Sequence, residues 1–159
     1  CAWVREGRNL IICGATGTGK TFLACAFGQA ACRQSFKVKY YRVNRLLTDL
    51  AIGHGDGSYN KIMRDLKKTD LIILDDFGMA ILDPISSRDL LEVIEDRFGA
   101  KATIIATQLP VASWHELFED STIADAILDR VIHNSYRFEL KGDSKRRDNI
   151  PEKTSDISA

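Results

Sequence analysis

The sequence predicts an α/β fold: one parallel sheet with helices on both faces. Three observations predict it. Five apolar runs, at 9–13, 37–43, 70–75, 102–107 and 136–140, alternate with helix-like stretches, which is the order of elements in a parallel sheet. Leu71 to Leu74 is apolar at every position rather than every second one, as in a strand buried on both faces. A glycine-rich loop joins the first run to the first helical stretch, and strand, glycine-rich turn and helix is the setting in which such a loop binds phosphate.

Asn9 to Cys13 forms the first strand. Gly14-Ala15-Thr16-Gly17-Thr18-Gly19-Lys20-Thr21 then fills every fixed position of G-x-x-x-x-G-K-[ST]. Glycines at 14, 17 and 19 let the backbone turn tightly and bring its N–H groups against a phosphate. The helix that follows points its unpaired amides and positive dipole end at the same anion. Lys20 is placed to reach the β- and γ-phosphates, and Thr21 offers a hydroxyl to Mg²⁺. These eight residues are the candidate nucleotide cradle, and they make the fold a three-layer P-loop NTPase. The helix, from Phe22 to Arg33, carries Leu23, Phe27, Ala30 and Ala31 with little polarity, so it is expected to pack closely on the sheet.

After the second strand, Asn44 to Ala51 reads as a helix with Leu46, Leu47 and Leu50 inward, 53–57 as a loop, and Ser58 to Lys68 as a second helix. The third strand ends in Asp75-Asp76-Phe77-Gly78. Ligands in open α/β sheets bind at the carboxyl ends of the strands. Asp75 is therefore the candidate Mg²⁺ acid, and Asp76, which projects to the other side, is the candidate for activating water. Ser86 is the expected N-cap of a helix over 87–98 with Leu90, Leu91, Ile94 and Phe98 inward and Gly99 as its stop. The fourth strand ends at Thr107-Gln108, where a polar side chain reaches the γ-phosphate or the attacking water; Thr107 is the first choice by position and Gln108 the alternative. Ser113-x-x-Glu116 has the spacing of a capping box. Ala124, Ile127, Leu128 and Val131 recur at helical spacing, so 123–134 is amphipathic. Arg130 lies off its apolar stripe. A short basic run, Ser144-Lys145-Arg146-Arg147, follows the last strand, and from Asp148 onward the composition predicts a disordered tail.

Composition sets bounds. The 159 residues have no net charge, so no global field recruits nucleic acid or membrane, and DNA contact requires a local patch. No apolar run approaches the length of a membrane span. Cys1, Cys13, Cys25 and Cys32 have neither C-x-x-C spacing nor a nearby histidine; they read as small core residues of a protein in a reducing, cytoplasmic compartment. His54, His115 and His133 are scattered, so no metal site built of protein ligands alone is expected. The chain starts at Cys1 without a methionine and reads as an N-terminally truncated domain over 1–147 with a tail over 148–159.

Up to about Arg147 the chain resembles the AAA+ ATPases of the IstB/DnaC group, the transposition helpers and replicative helicase loaders. The resemblance is carried by the loop, by Leu71 to Gly78, and by Asp89-Leu90-Leu91-Glu92-Val93-Ile94-Glu95-Asp96-Arg97, Thr107-Gln108-Leu109-Pro110, Trp114-His115-Glu116-Leu117, Ala124 to Arg130 and Glu139 to Ser144, which look like the IstB side of the group. It implies a sheet of order 5-1-4-3-2, ATP with Mg²⁺, ring or spiral self-assembly, and DNA. Arg130 then matches an arginine finger acting across a subunit boundary, and Thr107 the sensor-1 region. The two helices between the second and third strands match the DNA-contacting insertion of initiator proteins, which makes Arg42, Arg45, Lys61, Arg64, Lys67 and Lys68 candidate phosphate contacts, the alternative being ordinary solvated helices, with Tyr40, Tyr41 and Tyr59 as candidate stacking partners and core positions the alternative for the first two. About twenty residues follow the last strand, so a helical lid is expected to be absent, and Arg146 substitutes for a lid-borne arginine only by reaching back. The implied activity is DNA-stimulated ATP hydrolysis by a protein that assembles on DNA and recruits a transposase. The alternative is a helicase loader that engages a replicative helicase. More distant readings are a metabolic P-loop kinase, for which no substrate lid is evident, and an ATP-gated DNA scaffold with negligible turnover. A GTPase is disfavoured because Asn60-Lys61-Ile62-Met63 lacks the final aspartate of Asn-Lys-x-Asp and precedes the acidic strand.

Overall fold

The computed structural model describes residues 1–141. Five strands form one parallel sheet: β1 (Asn9–Gly14), β2 (Val38–Arg42), β3 (Leu71–Phe77), β4 (Ala102–Thr107) and β5 (Ser135–Leu140). Their order is β2-β3-β4-β1-β5, which from the other edge is the 5-1-4-3-2 that the resemblance implied. Alternation along each strand splits its apolar residues between two cores. Leu71 and Ile73 join Leu10, Ile12 and Ile104 under α2 (Lys20–Arg33) and the short α1 (Ala2–Arg5). Ile72 and Leu74 join Ile11 and Ile105 on the opposite face. There they meet α3 (Val43–Asp56), α4 (Tyr59–Lys68), α5 (Pro84–Arg97), a 3₁₀ helix (Val111–Leu117) and α6 (Ser121–His133). Gly28 sets the close approach of α2, since a Cβ there would lie 3.0 Å from Ile73 Cδ1.

Several local expectations are corrected. α3 runs to Asp56, through most of the stretch read as a loop. Gly53 is buried, and a Cβ on it would sit 2.8 Å from the Tyr59 amide nitrogen. It is a contact point for the start of α4 rather than a helix breaker, and Gly57, at φ 85°, makes the actual stop. α5 starts earlier than read, with Pro84 in its first turn and Asp83 as the cap; Ser86 only donates its amide to Asp83. Phe98 is 48% exposed, and Arg97 takes the inward position. Ser113 and Glu116 form no capping box: the segment is 3₁₀, entered from Pro110 without a side-chain cap, and Trp114 fills the core from it. α6 begins at Ser121 because Asp120 accepts from the amides of Thr122 and Ile123. The cysteines fit the core reading only in part: Cys1 and Cys13 are half-buried and pack against the two cores, Cys25 is half-buried, and Cys32 is exposed, all as free thiols. The basic run with Arg146 and the tail over 148–159 lie outside the described residues.

Arg97 is not marked out by its sequence context, yet it holds the lower end of the sheet together. It is 2% exposed. Its guanidinium donates to the carbonyls of Leu66, Thr69 and Ala102, and its Nε donates to Thr103 Oγ1 at 3.2 Å. Burial pushes its pKa down to about 10, so it remains charged at neutral pH. The one signal in the sequence is its place seven residues after Leu90, in line with the apolar stripe of the helix.

Candidate functional site

The loop between β1 and α2 takes its shape from glycines at left-handed angles, Gly17 at φ 82° and Gly19 at φ 93°. At Gly14 a Cβ would lie 2.6 Å from Thr18 Oγ1, so the loop closes on itself only without a side chain there. Thr18 Oγ1 donates to Ala15 O at 2.7 Å and Lys20 Nζ donates to the same carbonyl at 3.0 Å, which folds the lysine over the loop. Gly19 offers no side chain to cap α2, and the positive end of the helix faces the cleft.

The acidic strand end closes against this loop. Thr21 Oγ1 donates to Asp75 Oδ2 at 2.9 Å, joining residues 54 apart in the chain. Asp75 is 3% exposed. Its Oδ1 accepts the Asp76 amide at 2.9 Å, and its Oδ2 also accepts the Tyr40 hydroxyl at 2.5 Å. Burial, and then this bond to Asp75, push the Tyr40 pKa well above the usual phenol range, so the hydroxyl stays a donor. Asp76 adopts φ 56°, a left-handed angle uncommon outside glycine. The turn takes its side chain off the strand's own row and toward the cleft, where Arg42 Nε and Nη2 donate to its Oδ2 at 3.1 and 2.9 Å. A cavity of about 440 Å³ lies between loop and acids, walled by Thr16, Gly17, Gly19, Lys20, Thr21, Arg42, Asp76, Thr107 and Gln108 among others. Thr21 lines this cavity and the Asp75 carboxylate stands bonded behind it; a hydroxyl and a carboxylate are hard oxygen donors, the set that suits a magnesium ion accompanied by phosphate oxygens.

The remaining predicted residues fall in different places. Thr107 is fully buried in the cavity wall, with its hydroxyl committed to Phe77 O at 2.6 Å and to the Leu109 amide at 3.0 Å. Gln108 stands at the rim and accepts from Thr16 Oγ1 at 2.7 Å, so of the two it is the one that touches the loop. Arg130 is not brought to this cavity. It pairs with Glu95 at 3.2 Å, donates to Ala126 O at 3.0 Å and lines a small recess with Asn9 and Thr103, where β1 and β4 begin. A strand length separates it from the loop, which follows the opposite end of β1.

The six basic candidates are all exposed, on β2, α3 and α4, and Arg42 and Arg45 border one groove. Arg42 is drawn into the cleft by Asp76. Arg45 borders a shallow groove with Asn44, Thr48 and Met79 beside it. Lys61, Arg64, Lys67 and Lys68 lie along α4, on its solvent side. Of the three tyrosines, Tyr40 is bound to Asp75, Tyr41 packs against the core, and Tyr59 stacks on His54 at 4.1 Å while donating to Glu92 at 2.6 Å. Among the described residues no helix is long and apolar enough to cross a membrane.

Comparison with known proteins agrees with this geometry. A Sinorhizobium fredii protein named for ATP binding in an insertion sequence is 50% identical over 145 residues, 91% of this chain and 59% of its own length. A Mycobacterium tuberculosis protein similarly named is 34% identical over 154 residues, 96% of this chain and 61% of its own. The chain therefore spans about three-fifths of the length of these relatives. Among solved structures, the DnaC helicase loader superposes with a TM-score of 0.76 at 22% identity, covering 88% of this chain and 85% of that one. AMPPCP-bound DnaA from Aquifex aeolicus gives 0.73 at 22% identity, covering 92% and 45%. At such identities the likeness is one of fold. The family described as IstB-like ATP binding protein matches residues 1–152. That match takes in the phosphate loop, both acids and every strand of the sheet, and the chain belongs to the IstB-like ATP binding proteins.

Proposed function

We propose that this chain is the ATP-hydrolysing domain of a transposition helper, which assembles on DNA and recruits the transposase of its insertion sequence. The observation that carries the hydrolytic reading is the contact of Thr21 Oγ1 with Asp75 Oδ2 at 2.9 Å, because it joins the phosphate loop to the acidic strand end in one cleft. Loop amides and Lys20 bind the β- and γ-phosphates. A magnesium ion held by Thr21 and Asp75 would neutralise charge on the phosphate oxygens. Asp76 accepts the proton of the attacking water once Arg42 releases it, and Gln108 or Thr107 registers the γ-phosphate from the end of β4. Arg130, remote from its own cleft, serves the cleft of a neighbouring protomer, where an arginine can stabilise the charge that develops in phosphoryl transfer. Arg45 and the row on α4 meet DNA phosphates.

The transposition reading rests on the relatives named for insertion sequences; a helicase loader uses the same nucleotide residues. The test is ATP turnover by the full-length protein with and without DNA, with Lys20→Ala as control, followed by capture of purified transposase or replicative helicase. DNA-stimulated turnover abolished by Lys20→Ala, with transposase retained, is the expected result. No turnover with DNA present would reduce the protein to an ATP-gated scaffold, and retention of helicase alone would make it a loader.

A further inference from the structure

We propose that Tyr40 is a positioning residue for Asp75, fixing the carboxylate that, on the functional reading above, receives the metal. β2 is an edge strand whose Tyr40 stands opposite Ile73 and whose Arg42 stands opposite Asp75. Side chains two residues apart share a face of the sheet, so Tyr40 and Asp75 lie diagonally on the α2 side. Tyr40 is 44% exposed and has water available for its hydroxyl. It nonetheless turns that hydroxyl inward onto a buried carboxylate at 2.5 Å.

The bond completes a three-point hold on Asp75 from three parts of the chain. The next backbone amide takes Oδ1, and Thr21 of α2 and Tyr40 of β2 share Oδ2. The amide alone leaves the carboxylate plane free to swing about its χ2 torsion, which is broad for an aspartate. Two hydroxyls from separate elements on Oδ2 remove that freedom. Were Thr21 to give its oxygen to a cation, Tyr40 and the Asp76 amide would keep one donor on each oxygen of Asp75. Groups that hydrogen-bond a ligating carboxylate raise metal affinity or activity by roughly 10- to 100-fold. Nothing in the residue types singles out Tyr40 for such a role, since in sequence it reads as a candidate for stacking on a base.

The experiment compares the wild-type chain with Tyr40→Phe, which keeps the ring and deletes the oxygen. Binding of a fluorescent ATP analogue is followed first in EDTA and then through a Mg²⁺ titration, and bound Mn²⁺ is read independently by electron paramagnetic resonance. The expected result is unchanged nucleotide affinity in EDTA, with the Mg²⁺ midpoint raised about tenfold and weaker Mn²⁺ binding in step. An unchanged or lowered metal midpoint overturns the proposal, as does an equal loss of affinity in EDTA, which would make Tyr40 a general support of the cleft. If the wild type itself binds nucleotide without any metal dependence, the hydrolytic reading fails rather than the assignment of Tyr40 alone.

Discussion

Arg42 and Asp76 meet across the mouth of the cleft, with two guanidinium nitrogens 3.1 and 2.9 Å from a single carboxylate oxygen. A carboxylate oxygen so engaged has its lone pairs occupied by the guanidinium and is less available to accept a proton from water. Removing the arginine with Arg42→Ala should therefore raise ATP turnover in the absence of DNA and shrink the stimulation by DNA. The gain should be modest, roughly two- to tenfold, since the pair is solvent-exposed. Steady-state rates of the full-length protein check it; a fall in basal rate would mean that Arg42 assists the reaction instead.

Asp76→Asn keeps the size and the turn but loses the base. It should bind ATP with wild-type affinity and lose turnover by roughly 10²- to 10⁴-fold, the range for a general base. Calorimetry for binding and a phosphate-release assay for turnover separate the two quantities. Undiminished release would remove Asp76 from the chemistry.

Arg130 is separated from the loop by the length of β1, so the role proposed for it demands a second protomer. Lys20→Ala and Arg130→Ala should each be inactive alone. Mixing them should restore part of the activity, because some interfaces then pair an intact cleft with an intact arginine. A mixture as silent as its components would count against action across the boundary.

Arg97 offers a prediction about stability. Arg97→Met leaves the carbonyls of Leu66, Thr69 and Ala102 without their donor in the interior. Orphaned buried polar groups of this kind cost about 1–3 kcal/mol each where water cannot replace the partner, so urea unfolding should show a loss of several kcal/mol. Arg97→Lys should recover little, because one ammonium cannot span carbonyls on α4, the turn after it and β4.

Two glycines of α3 should respond in opposite directions. A Cβ on Gly55 meets nothing within 4 Å, and alanine at an unobstructed helical site gains roughly 0.5–1 kcal/mol. A Cβ on Gly53 meets the Tyr59 backbone at 2.8 Å, so alanine there should destabilise. Thermal melts of the two variants check the pair.

The carboxyl of Asp70 lies below the usual carboxylate range, first because the Lys37 amide donates to it at 2.8 Å and then through Lys101 Nζ at 3.0 Å. Its folded pKa is depressed, so its contribution is present above the unfolded value of about 4 and fades as pH falls through the folded one. Asp70→Asn should therefore cost stability at neutral pH, and the difference from wild type should close in acid. Urea midpoints measured across that window give the result directly.

The sequence by itself determined the loop from Gly14 to Thr21, the paired acids at the end of β3 and the five strands, because these are written in contiguous spacing: fixed glycines, unbroken apolar runs and a change of period between strand and helix. It also carried the family, and with it the strand order that the fold shares. Only the tertiary structure decided which partners meet. Thr21, Tyr40 and Asp75 converge although 35 and 54 residues separate the pairs, since the neighbours of β3 are set by sheet order and not by chain order. The same cause concealed the partners of Arg42 and Arg97. Arg42 stands in a stretch whose local pattern marks a surface cation, and Asp76 reaches it from the neighbouring strand of the sheet; Arg97 is in line with an apolar stripe, and its carbonyl partners come from α4, the turn after it and β4. Gly53 and His54 looked like a loop for a related reason: the contact that keeps α3 helical comes from the helix after it.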